Sequence, residues 1–138
     1  MALLFLFILA ITACTQKSSE SKTDEARRWS KLDGFHTVMA DAFHPYKDSG
    51  NLVPAKGLAQ VLADSAEAWA GSPLPEKVNN DEMKEKVQKL FSESAKLLTM
   101  SKDGSVDSVF AAKLSLLHDV FHEIQESWYG AGKKEHKH

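Results

Sequence analysis

Apolar side chains recur at three- and four-residue steps along most of the chain, the spacing of helices that bury one face. Behind a Thr23 cap and the acidic Asp24 and Glu25, the positions Trp29, Leu32, Phe35, Met39 and Phe43 predict a first helix from residue 24 to His44, stopped by Pro45. A second helix takes Pro54 in its first turn, carries Leu58, Val61, Leu62, Ala66 and Trp69, and ends at Gly71-Ser72-Pro73. The third opens at Asn80-Asp81-Glu82, runs through Met83, Val87, Leu90, Phe91, Leu97 and Leu98, and stops at Asp103-Gly104. The fourth starts at Ser105, buries Val106, Phe110, Leu114, Leu117, Phe121, Ile124 and Trp128, and terminates at Gly130. No apolar-polar alternation predicts a strand. Four amphipathic helices with mostly short connections predict an all-α fold, an antiparallel up-down-up-down four-helix bundle over residues 24–130, with a disordered tail at 131–138.

The segment before the bundle has a different character. Residues 1–13, MALLFLFILAITA, carry no charge. They are too few for a bilayer-spanning helix of roughly 20 residues but match the roughly 7–15 apolar residues of an export signal. They lead into Ile11-Thr12-Ala13-Cys14, an aliphatic residue and two small ones before a cysteine. This resembles the lipobox of bacterial lipoproteins. The resemblance implies that residues 1–13 are a signal peptide that is removed, that Cys14 carries a lipid, and that the protein is anchored in the cell envelope, facing the periplasm or the exterior. Thr15-Gln16 lacks the Asp that resembles an inner-membrane retention signal, which favours the outer membrane. Residues 14–23, rich in Ser, Lys and Thr, then form a flexible tether.

Charge narrows the partners. The 17 basic and 19 acidic side chains are interleaved and leave a net charge of −2, so nothing suggests nucleic acid. Cys14 is the sole cysteine, which excludes zinc-thiolate sites, thiol catalysis and CxxCH haem attachment from the mature domain. No G-x-S-x-G elbow and no phosphate-binding glycine loop occurs, so no enzyme is indicated.

Six histidines are the most unusual feature, and four of them fall in the first and last predicted helices. At 100° per residue His36 shares the direction of Trp29, Leu32, Met39 and Phe43, which predicts an inward imidazole. His118 and His122, spaced i, i+4, project about 80° and about 120° from the centre of the apolar stripe, with the spacing that two ligands of one ion can use. Antiparallel pairing of the predicted helices puts His36 and His118 in one layer, His122 about one turn away, and Met39 nearby, with His44 as a more distant candidate. Asp-x-Phe-His recurs at Asp33–His36, Asp41–His44 and Asp119–His122, so each Asp could orient an imidazole. Such a set suits Zn or Cu, with Met39 favouring Cu⁺.

A small exported four-helix bundle with His and Met on its first helix and His on its last resembles the cytochrome b562 and cytochrome c′ group, which implies haem b as a further candidate cofactor. The expectation is a membrane-anchored helical bundle binding a transition metal, or haem b, through His36, His118, His122 and His44. The alternative is a cofactor-free envelope lipoprotein that docks another protein.

Overall fold

The computed structural model describes residues 29–131. Four α-helices follow one another: α1 Ser30–Ser49, α2 Val53–Ala70, α3 Asp81–Asp103 and α4 Asp107–Ala131, with a 3₁₀ turn at Glu76–Val78 before α3. Among the described residues there is no strand. Cys14, the expected signal peptide and tether, and the tail histidines His136 and His138 lie outside the described residues. No described helix is long and apolar enough to cross a membrane.

The helix ends correct several expectations. Trp29 has an extended backbone, so α1 begins at Ser30 rather than at residue 24. Pro45 does not stop α1, which continues to Ser49 with the proline inside it. A proline removes one N–H and crowds the preceding turn, but here the next turn is anchored by Tyr46 against the core. The helix ends instead where Gly50 turns left-handed at φ 71°. The N–H groups of Gly50 and Asn51 then bond the carbonyls of Tyr46 and Pro45. Gly130 does not end α4, which reaches Ala131. The last helix starts at Asp107 rather than at Ser105. Three caps match the sequence, with Pro54 in the first turn of α2, the Asn80 side chain accepting from the Met83 N–H at 2.8 Å, and Gly104 closing α3 at φ 67°.

The helices pack in a ring, α1 on α2, α2 on α3, α3 on α4 and α4 on α1, and the α1–α4 seam is the sparsest. Leu32, Phe35, Met39, Leu62, Leu90, Leu97, Phe110, Leu114, Leu117 and Phe121 fill the centre. α2 contributes mostly small side chains, with Ala55, Ala59, Ala63 and Ala66 all buried, which lets its neighbours approach closely. Two expected core positions face water: Val61 and Val106 are both exposed. Trp29, Trp69 and Trp128 gather at one end, Trp29 edge-on to Trp69 at 5.0 Å and 5.2 Å from Trp128. The Lys77 ammonium sits over the Trp128 ring, and loss of water around it lowers its pKa.

One buried charge sits in this interior. Glu93 of α3 accepts from Lys113 of α4 at 2.6 Å and from Lys96, one turn on, at 2.8 Å. These two bonds hold its carboxyl below the usual carboxylate range, Lys113 contributing most. A carboxyl with a lowered folded pKa adds stability above its unfolded value of about 4.3, and that stability is lost as pH falls through the folded value. Glu93→Gln should therefore destabilise the protein by about 1–2 kcal/mol at pH 7 and by far less at pH 3. The estimate is lower than for a fully buried pair because both lysines reach water. Denaturant melts at the two pH values check it; equal losses at both would show that the charge contributes nothing.

Candidate metal-binding site

The sequence places His118 and His122 one turn apart on α4, on the flank turned toward α1, where the apolar stripe gives way to polar residues. Both are half-buried. Their Nε2 atoms approach to 3.0 Å, so without a metal one ring donates an N–H to the other. The rings are nearly perpendicular, with centroids 4.3 Å apart. Beneath them Phe43 of α1 stacks on His118 at 3.8 Å, with the ring planes 15° apart. The opposite nitrogen of His118, Nδ1, lies 3.8 Å from Asp119. Burial holds the His118 pKa below its ordinary value, with the neighbouring His122 adding to the effect. His118 therefore tends to stay neutral, the form that binds metals.

Two nitrogens about 2.0–2.1 Å from a common ion are about 2.9 Å apart at a right angle and about 3.3–3.4 Å apart at the tetrahedral angle. The observed 3.0 Å matches the spacing of adjacent corners of a tetragonal site, and of a tetrahedral one after a small opening, once the rings turn their Nε2 lone pairs from each other onto the ion. The pair can thus supply two neighbouring ligands, with its outer side left to solvent.

His36 and His44 lie elsewhere than the sequence suggested. His36 is exposed rather than inward. Ala42, fully buried and uncounted in the sequence pattern, draws the centre of the buried arc away and leaves His36 about 70° from it. Its ring stacks on Phe121 at 5.5 Å and 16°. Nor do His36 and His118 share a layer. Continuation of α1 past Pro45 slides the pairing by about one turn, so that Trp29 meets Trp128, Phe35 meets Phe121 and Phe43 meets His118. His36 is then level with His122. His44 is exposed, and its helical angle turns it away from the pair. Met39 is 1% exposed, a core side chain rather than a ligand. Among the described residues, no three His, Cys, Asp or Glu side chains are gathered at metal-binding distance.

Beside the pair, Phe121 lies against His122 and Phe35 against Phe121, so buried side chains fill the interior there. In the recurring Asp-x-Phe-His pattern the phenylalanine makes the ring contacts: Phe43 and Phe121 each carry an imidazole across the seam. Asp119 approaches His118, the residue before it, at 3.8 Å. Phe43 is core, as the apolar stripe predicts, and is also the platform for His118, a contact that no local pattern shows.

No family model, no curated protein and no solved structure matches this chain.

Proposed function

We propose that this protein is a lipid-anchored component of the cell envelope whose helical bundle captures a transition-metal ion through His118 and His122. The observation that carries the metal reading is the 3.0 Å approach of the two Nε2 atoms on one surface-facing turn of α4. A structural metal site is closed by four protein ligands, whereas a site with open positions can exchange its ion or pass it on. The half-buried pair belongs to the second kind, so capture and transfer fit it better than structural support. Among divalent ions Cu²⁺ is expected to bind most tightly, since imidazole affinity rises toward copper and falls again at zinc. The anchoring part of the proposal rests on the apolar run and Ile11-Thr12-Ala13-Cys14.

Native mass spectrometry of protein purified from membranes tests both parts. The reading expects a chain starting at Cys14 with acyl mass on it, and one Cu²⁺ per chain that is lost in His118→Ala. An unprocessed Met1 terminus contradicts the anchor; metal retained in His118→Ala contradicts the site.

A second reading has its own observation. Val53, at the start of α2, and Val106 and Val109, around the start of α4, are all exposed at the end of the bundle remote from Trp29. An apolar end facing away from a tether is where an envelope protein would dock. Absence of any metal complex, together with a partner cross-linked at those positions, would favour it.

A further inference from the structure

The α1–α4 seam holds three imidazoles, of which only two converge. His36 is on α1, on the flank facing α4, and its ring is spread on Phe121, the residue immediately before His122. The contacts between Trp29 and Trp128, Phe35 and Phe121, and Phe43 and His118 fix the antiparallel register on both sides of it. That register puts His36 level with Phe121 and His122. The side chain is exposed and, among the described residues, makes no hydrogen bond that would hold it on Phe121 against rotation about its two side-chain torsions.

We propose that His36 is the third ligand, swinging from its stack on Phe121 to the His118–His122 pair when a divalent transition-metal ion binds. This deepens the metal-capture reading and rests on it. One ligand then comes from α1 and two from α4, so the ion links the two helices across the sparsest seam of the bundle. Three imidazoles leave a fourth position open to water or to an incoming donor, as an exchangeable site requires. His44, one residue from the Phe43 platform but turned away from α4, stays outside the site.

The experiment uses the full chain with His136→Ala and His138→Ala in every background, titrated with Cu²⁺ alone, together with electron paramagnetic resonance of the one-to-one complex. His36→Phe keeps a ring for stacking on Phe121 and removes the ligand nitrogens. We expect its Kd to rise at least about tenfold, since loss of even a hydrogen-bond partner of a metal ligand costs about 10–100-fold. The nitrogen hyperfine pattern should change from three coupled nitrogens to two. His36→Ala should behave alike, and His44→Ala should match the parent. A His36→Phe affinity within about twofold of the parent with an unchanged spectrum overturns the third ligand, provided that His118→Ala and His122→Ala still lose binding. If His44→Ala carries the loss instead, the assignment of the third ligand to His36 is overturned. Binding unaffected by His118→Ala or His122→Ala overturns the metal reading itself.

Discussion

Trp69→Ala is expected to lower the unfolding free energy by about 3–5 kcal/mol, the range for removing a large buried aromatic. Trp69 is 1% exposed, lies edge-on to Trp29 and packs against Phe35 at 5.8 Å, so one truncation opens the junction of α1 and α2. Domains of this size have about 5–15 kcal/mol to lose. The melting temperature should therefore fall by well over about 10 °C. Trp69→Phe separates area from polarity. The Trp69 indole N–H is buried without a hydrogen-bond partner among the described residues, so phenylalanine removes surface but breaks no bond there, and its loss should be the smaller by at least about 1 kcal/mol. Thermal melts of the two variants check this. Equal losses would mean that the N–H has a partner worth keeping.

Metal should stabilise the wild-type protein and leave His118→Ala unmoved. An ion that binds only the folded chain adds about 2.7 kcal/mol at a free concentration 100 times its Kd. The gain appears as a melting point that climbs with the logarithm of Cu²⁺ concentration. Because the His118 pKa is lowered, competition between protons and the ion at this ligand sets in below the ordinary histidine value of about 6.5. A His118→Ala variant that gains as much as the wild type would place the ion elsewhere.

The helices were legible because each stripe of large side chains repeats over several turns, and because Asn80, Pro54 and Gly104 act locally as caps. What the pattern missed depended on packing. Pro45 reads as a stop, but Tyr46 and the Gly50 turn hold α1 in place for a further turn, and that extension moved every cross-seam pairing, including that of His36. Ala42 and the alanines of α2 carry too little apolar area to stand out in a sequence, yet they set which face is buried. Val106 counts as apolar but lies before the first turn of α4, beyond the reach of the other helices. Glu93 occupies an inward position made tolerable by Lys96 on its own helix and Lys113 on α4, and no local signal announces the second partner. The site was legible to the extent that it is local: the i, i+4 spacing of His118 and His122 placed their nitrogens together, whereas the position of His36 depended on the register of two helices distant in sequence.

The most direct test of the account is a calorimetric titration of Cu²⁺ and Zn²⁺ into the full chain bearing His136→Ala and His138→Ala, with His118 and His122 either intact or both replaced by alanine. The account predicts one ion per chain for the intact pair, Cu²⁺ bound more tightly than Zn²⁺, and no saturable binding once both histidines are gone. Equal binding by the two proteins, or none by either, would contradict it.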